Sequence, residues 1–356
     1  MAAKHDILDD REQLARLDSA NMLATLAKMP EMLAEARRLA GQVELKKSKK
    51  PRQIVIAGMG GSAIAGDILA DLFAQQLKLP LTVNRDYRLP AYVGPETLVM
   101  AVSYSGNTEE TLAAAKDTLN QGCRLIVITS GGQLAQLAQE HGLTCFPVPK
   151  GYQPRAALPF LFLPLLTVLA SLDLIAAQGD ALDELEQLLT KLVAEYEQSV
   201  PQKKNPAKQV AQRLVAKIPL ILGSSGTTAA AALRLKTQLN ENSKTTAHVA
   251  VFPELDHNEI VNLADLKRGE HAFALLALRS ENDSERMKKR IEITKSLIGG
   301  QLGGIIELPA KGKTDLSRLF SLVILGDYIS VYLALLRAVD PSDVTIITRL
   351  KKELSR

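Results

Sequence analysis

Apolar residues in this chain gather in short uncharged runs, each followed by a stretch with helical spacing. Gln53 to Ala57 reads as a short β-rich strand, and the apolar positions from Ala63 to Leu72 recur as on a helix. Leu81 to Asn84 and Leu98 to Val102 are further strands, the second leading into a helix from Thr108 to Leu119. The plan then repeats. Strand Ile218 to Gly223 precedes helix Ala229 to Leu239; strand Ala247 to Phe252 follows, then strand Ala272 to Leu278 with helix Glu285 to Leu297. Gly304 to Leu308 and a long helical run from Asp315 to Ala338 complete the second series. Strands alternating with helices predict an α/β fold of parallel sheets flanked by helices, and two series predict two related halves.

The proline-marked stretch Pro149 to Pro154 suggests the boundary. Residues 1–152 would hold an N-terminal helix, roughly Asp9 to Ala40, and the first half. Residues 153–356 would hold interface helices, the second half and the C-terminal helices. The N-terminal helix is expected to pack across both halves, and Pro201 to Pro206 to separate the interface helices from the second sheet.

Composition narrows the class. The chain has 356 residues, enough for two cores, with a net charge of +4 and no Trp. Its most basic run, Lys46 to Arg52, lacks the interleaved aromatics or basic helix that nucleic-acid binding uses, so no nucleic-acid partner is expected. Ala156 to Leu172 approaches the length of a membrane span, yet Pro159 and Pro164 interrupt it and Arg155 and Asp173 bound it. It reads as a buried interface helix, and no membrane partner is expected. Cys123 and Cys145 form no C-x-x-C pair, and Met1 to Gln13 has no apolar signal core, which points to the cytoplasm.

The chemistry starts at Ser103-Tyr104-Ser105-Gly106-Asn107-Thr108, a strand-to-helix turn bearing three hydroxyls besides a tyrosine and a glycine. Unpaired backbone N–H groups and the helix dipole favour an anion there, and hydroxyls can donate to phosphate oxygens. Gly58-Met59-Gly60-Gly61-Ser62 has the same setting. Gly60 and Gly61 would let backbone approach a ligand closely, and Ser62 is expected near a helix N-cap. Gly58, Gly60 and Ala63 also fit a dinucleotide fingerprint, but Asn84 is followed by Arg85 before any acid, and a dinucleotide leaves the second Ser-rich turn unexplained. A phosphorylated small molecule is the better ligand.

Glu241 lies between amides in Asn240-Glu241-Asn242-Ser243-Lys244 at a helix end, where a carboxylate is usually solvated. His257, in the polar turn Glu254 to Glu259, is either a hydrogen-bonded turn residue or an imidazole working near neutral pH. His5, His141, His248 and His271 have no such setting. Arg155 is either half of an interface ion pair or a cation over a ligand cleft. No H-E-x-x-H or similar cluster exists, so no metal is expected, and G-x-S-x-G is absent. Ser224-Ser225-Gly226-Thr227-Thr228 repeats the plan of the first phosphate turn.

Together, Gly58 to Ser62, Ser103 to Glu110, Pro154-Arg155-Ala156, Asn240 to Lys244 and Asp256 to Glu259 resemble the bifunctional phosphoglucose/phosphomannose isomerases of the sugar isomerase (SIS) superfamily. The resemblance runs over nearly the whole chain, from Asp18 to Lys351. It implies two SIS-type subdomains and interconversion of glucose 6-phosphate, and mannose 6-phosphate, with fructose 6-phosphate, without a cofactor. By that reading Gly60, Gly61, Ser62, Ser103, Ser105 and Thr108 hold the phosphate. Glu241 moves the proton between C1 and C2, His257 helps open the ring, Arg155 stabilises the enediolate, and Lys351 lies near the ring oxygen. In the family the histidine comes from a neighbouring subunit, which implies a homodimer with a shared site.

The chemistry of aldose–ketose isomerisation matches that set: one carboxylate over the C1–C2 edge, a cation near the oxyanion, and a remote anionic handle. A non-catalytic sugar-phosphate sensor would need neither Glu241 nor His257 and usually carries a DNA-binding domain. An amidotransferase would need an N-terminal Cys, where the chain has Ala2. Arabinose-5-phosphate isomerases normally couple one SIS domain to regulatory modules.

Overall fold

The computed structural model describes residues 7–46, 49–265, 273–300 and 305–354. His5, His271, Ala272, Gly304 and part of the basic run at Lys46 to Arg52 lie outside the described residues. The single N-terminal helix expected from Asp9 to Ala40 is instead a 3-10 turn at Ile7–Asp9 followed by α1 (Arg11–Leu17), α2 (Met22–Ala27) and α3 (Met29–Gly41). Two local features break it. The Asp18 carboxylate accepts hydrogen bonds from the N–H groups of Met22 (2.7 Å) and Leu23 (2.9 Å), opening a new helix, and Asn21 adopts φ 51°.

The first sheet comes from β1 (Gln53–Ala57), α4 (Gly60–Leu72), β2 (Leu81–Asn84), β3 (Thr97–Ser103), α5 (Glu109–Asn120), β4 (Arg124–Thr129), α6 (Gly132–Glu140) and β5 (Thr144–Pro147). All five strands are parallel, in the order β2-β1-β3-β4-β5. Every residue of β3 is buried, as a central strand covered on both faces requires. A 3-10 turn at Pro154–Ala156 leads into α7 (Leu158–Ser171), whose start carries Pro159 and whose interior carries Pro164; α8 (Gly179–Tyr196) follows.

The second sheet follows α9 (Pro206–Arg213), which Asn205 caps by accepting from the Lys208 N–H at 3.1 Å. Its elements are β6 (Ile218–Ser224), α10 (Ala229–Glu241), β7 (His248–Phe252), α11 (Glu259–Asp265), β8 (Phe273–Arg279), α12 (Glu285–Ile298) and β9 (Ile305–Pro309). The order β7-β6-β8-β9 repeats the first four positions of the first sheet, again all parallel. α13 (Asp315–Leu336) and α14 (Thr345–Leu354) complete the chain. The chain thus has two parallel sheets flanked by helices. α13 is long and apolar enough to cross a membrane, but its apolar window is wholly buried inside the protein, as in a core helix.

Two compact units emerge, and they differ from the expected split at residue 152. One holds residues 28–187 and 314–316; the other holds 1–27, 188–313 and 317–356. The first unit extends past Pro154 because α7 packs on α3 and α4. Residues 7–9 belong to the second unit because the buried Lys208 ammonium donates to the Leu8 carbonyl (2.6 Å) and Asp9 Oδ1 (3.0 Å).

Candidate active site

In the first sheet the chain reverses direction of winding between β1 and β3. Ligands of open parallel sheets bind at such a switch point, beyond the carboxyl ends of the two strands. The two Gly- and Ser-rich turns leave those ends. The Ser103 and Thr108 hydroxyls lie 2.9 Å apart, and the Gly106 N–H donates to Ser103 Oγ at 3.1 Å. Ser105 is exposed, its Oγ accepting from the Asn107 N–H at 3.3 Å. Thr108 occupies the N-cap position of α5 but makes no side-chain cap bond; its hydroxyl faces Ser103 instead.

The turn is braced from beneath by the segment after β4. Gly106 has φ 68°, and a Cβ there would lie 1.8 Å from the Gly131 carbonyl oxygen, so only glycine fits. Asn107 Oδ1 accepts from the Gln133 N–H (3.0 Å), and Ser130 Oγ donates to the Tyr104 carbonyl (2.6 Å). The sequence alone does not reveal these braces, because Ser130 to Gln133 carries no chemistry of its own.

Ser62 lies near the N-cap of α4. α4 begins at Gly60, with Met59 at the N-cap, and the buried Ser62 hydroxyl accepts from the Tyr104 N–H at 3.3 Å. It therefore links the two turns across the switch point. A Cβ on Gly61 would stand 3.0 Å from Arg155 Cα and 3.1 Å from the Pro154 carbonyl, so Gly61 permits the Pro154–Ala156 turn to lie against the start of α4. Arg155 is buried there. Tyr104 holds the approach to that turn: its hydroxyl donates to the Pro149 carbonyl (3.1 Å) and accepts from the Tyr152 N–H (2.8 Å). Burial raises the Tyr104 pKa above the ordinary phenol value. At the end of β2, Arg85 pairs with Asp67 of α4, where a dinucleotide site would present an acid to ribose.

The second sheet has the same switch point, between β6 and β8, but there the chain's own Asp283 side chain is bonded to the turns. Thr227 Oγ1 donates to Asp283 Oδ1 at 2.7 Å, and the Ser280 N–H donates to Asp283 Oδ2 at 3.3 Å. Asp283 is buried.

Glu241 is the last residue of α10 and is half-buried. Its neighbours are tied down. Asn240 Nδ2 donates to the Thr245 carbonyl (2.8 Å), Asn242 Nδ2 to Ser330 Oγ (2.8 Å), Ser243 Oγ to the Leu239 carbonyl (2.7 Å) and Lys244 Nζ to the Asp340 carbonyl (2.5 Å). The flanking amides thus serve the backbone and α13, and set where the helix ends. His257 closes a 3-10 turn at Glu254–His257; it is exposed, and its side chain has no hydrogen-bond partner among the described residues. Its neighbour Asp256 is locked by Arg290 Nη1 and Thr294 Oγ1, both at 2.8 Å. Lys351 is exposed on α14. A cleft of about 260 Å³ lined by Asp256, Ile260, Arg286, Lys289, Arg290, Ile293 and Thr294 contains none of the candidates. Among the described residues no group of His, Cys, Asp and Glu is placed to hold a metal ion.

Comparison with known proteins places both halves. Residues 48–157 match the SIS domain model, and residues 203–354 match the bacterial phospho-glucose isomerase C-terminal SIS domain. A bifunctional phosphoglucose/phosphomannose isomerase of Caldicellulosiruptor bescii is 42% identical over 335 residues, covering 94% of this chain and 99% of that protein. A D-glucosamine-6-phosphate 4-epimerase of Sulfolobus acidocaldarius is 29% identical over 306 residues, covering 85% of this chain and 90% of that protein. Among solved structures, a hypothetical protein of Thermus thermophilus superposes with a TM-score of 0.72 at 20% identity, covering 96% of this chain and 92% of that one, which shows the shared fold. On this identity and coverage, the chain belongs to the family of bifunctional phosphoglucose/phosphomannose isomerases.

Proposed function

We propose that this protein interconverts glucose 6-phosphate and mannose 6-phosphate with fructose 6-phosphate by proton transfer through a shared enediolate. The observation that carries the reading is the pair of Gly- and Ser-rich turns leaving the carboxyl ends of β1 and β3, joined by the Ser62–Tyr104 bond, with the backbone of Arg155 packed against Gly61. A phosphate there accepts from the hydroxyls of Ser62, Ser103, Ser105 and Thr108 and from backbone N–H groups at Gly60 and Gly61. Its binding energy holds the distant C1–C2 edge in place.

In the ketose-to-aldose direction the Glu241 carboxylate takes a proton from C1, and the electron pair forms the C1–C2 double bond as the C2 carbonyl oxygen becomes anionic. Arg155 stabilises that charge. The protonated Glu241 then returns the proton to C2 while the O1 hydroxyl proton moves to O2, giving the aldehyde. Protonation on either face of C2 yields the glucose or the mannose epimer. His257 assists ring opening, and Lys351 acts near the ring oxygen. We further propose a cytoplasmic homodimer in which His257 serves the partner's site. The exposed imidazole, without a hydrogen-bond partner among the described residues, supports that role, and the free thiols of Cys123 and Cys145 suit a reducing compartment.

A coupled assay on glucose, mannose, arabinose and glucosamine phosphates in the presence of EDTA tests the reading. Turnover of the first two, undiminished by the chelator, is expected, since neither Glu241 nor Arg155 needs an ion for this chemistry. Turnover of a different phosphosugar alone would replace the substrate assignment.

A further inference from the structure

α10 carries a polar stripe that the reaction itself does not use. Arg234, Gln238 and Asn242 recur at i, i+4 and i+8, so they share one face of the helix. That face lies on α13 at Asp327 and Ser330. Arg234 grips the Asp327 carboxylate with two bonds, Nε to Oδ1 at 3.0 Å and an Nη2 bond to Oδ2 at 2.7 Å. Gln238 Nε2 adds a third at 2.8 Å, and Asn242 Nδ2 donates to Ser330 Oγ, also at 2.8 Å. Ser330 in turn donates to the Asp327 carbonyl at 2.7 Å. All five residues are buried. The helices meet closely, since a Cβ on Gly326 would lie 3.2 Å from Leu235.

A buried ion pair is a poor source of net stability, because well-packed apolar groups of the same size usually do as well or better; fixing register is its better-attested use. Here the stripe leads to the end of α10. Its last rung, Asn242, directly follows Glu241. At roughly 6 Å from the helix axis, a rotation of about 10° would move a side-chain group by about 1 Å. A misplacement of that size can lower a rate by about a hundredfold.

We propose that Arg234, Gln238, Asn242, Asp327 and Ser330 form a ladder that sets the rotation of α10 on α13 and thereby aims the Glu241 carboxylate. The ladder residues are positioning residues. This inference rests on the reading of Glu241 as the base.

The experiment compares two changes in the full chain, alone and with Glu241→Gln. Arg234→Met with Asp327→Leu replaces the ion pair by apolar groups of similar size; Ser330→Ala removes the last rung. Each should lower kcat on fructose 6-phosphate about tenfold or more, with KM within about threefold. Combined with Glu241→Gln, neither should add to the loss from Glu241→Gln alone, because residues acting through one group are non-additive. A purely structural role would give losses that multiply, and would overturn the proposal. So would a folded variant with wild-type kcat. If the double substitution fails to fold, Ser330→Ala decides the matter alone. An active Glu241→Gln enzyme would instead sink the base assignment; hydrogen exchange at the last turn of α10, faster in Ser330→Ala than in wild type, would still register the ladder, and unchanged exchange would end it.

Discussion

The backbone of Arg155 lies against Gly61 so closely that a single added methyl on the glycine would stand 3.0 Å from its Cα. The contact ties the start of α4, to which the proposed function assigns the phosphate, to the turn bearing Arg155, proposed to stabilise the oxyanion. Gly61→Ala must therefore push the Pro154–Ala156 turn away. We expect kcat to fall by about tenfold or more, since a displacement of a few tenths of an ångström to 1 Å affects transition-state contacts most. The melting temperature should change little, because Gly61 lies at the edge of the core. A kinetic comparison with wild type decides it: an unaltered kcat would mean that Arg155 does not act on the reacting carbons.

The proposed phosphate handle is tested most directly at Ser105, the exposed hydroxyl of the turn. Losing one hydrogen bond to a charged group costs about 1.5–3 kcal/mol, so Ser105→Ala should lower kcat/KM for fructose 6-phosphate by roughly ten- to 150-fold, mainly through KM. Unphosphorylated fructose should be a very poor substrate. Comparable turnover of fructose and its phosphate would remove the handle from the mechanism.

Glu241→Gln keeps the shape of the side chain and removes its capacity to accept a proton. General base catalysis is typically worth about 10²–10⁴-fold. The variant should lose at least about a hundredfold in kcat on both glucose and mannose phosphates while binding phosphosugar within a few-fold. Retention of more than about a tenth of wild-type kcat on either sugar would shift attention to Glu259, whose Oε2 is buried without a hydrogen-bond partner among the described residues.

The second switch point predicts a stoichiometry. With Asp283 bound to Thr227 and to the Ser280 N–H, the chain's own carboxyl group already uses the donors at that turn. Titration with fructose 6-phosphate should therefore saturate at one equivalent per chain. Two equivalents would show that the carboxylate yields to phosphate.

A pH effect follows from three buried phenols. Burial raises the pKa values of Tyr196, Tyr328 and Tyr332 well above the ordinary 10.0. The folded state then holds protons that the unfolded chain has released, so stability is complete below pH 10.0 and falls as pH rises beyond it. The Tyr328 hydroxyl is also buried with no hydrogen-bond partner among the described residues. Tyr328→Phe should raise stability at neutral pH by about 1 kcal/mol and flatten the alkaline decline. Denaturant titrations at pH 8 and pH 11 would measure both effects; a destabilised variant at pH 8 would reveal an unseen partner for the hydroxyl.

Much of the molecule is written in local patterns. Strand Leu81 to Asn84 has the bounds its apolar run predicts, and the repeated strand–turn–helix plan produces two parallel sheets. The Gly-, Ser- and Thr-rich turns are legible because strand periodicity, glycine freedom and hydroxyl chemistry act between near neighbours in the chain. Glu241, His257, Arg155 and Lys351 are different: each taken alone is an ordinary polar residue, and only their company in a family resemblance singles them out.

What the tertiary structure decided are the pairings of residues remote in sequence. Spacing puts Ser62 near the N-cap of α4, where it lies, but only strand order brings its hydroxyl to the Tyr104 N–H. The long N-terminal helix breaks at Asp18, whose carboxylate finds two backbone donors that continuous helix would have used. Thr227 looks as available as Ser105 until β8 delivers Asp283 to it, and nothing near Arg234 in the chain foretells Asp327. Such contacts depend on which strands and helices become neighbours, and that follows from packing the whole apolar surface at once rather than from any local run of residues.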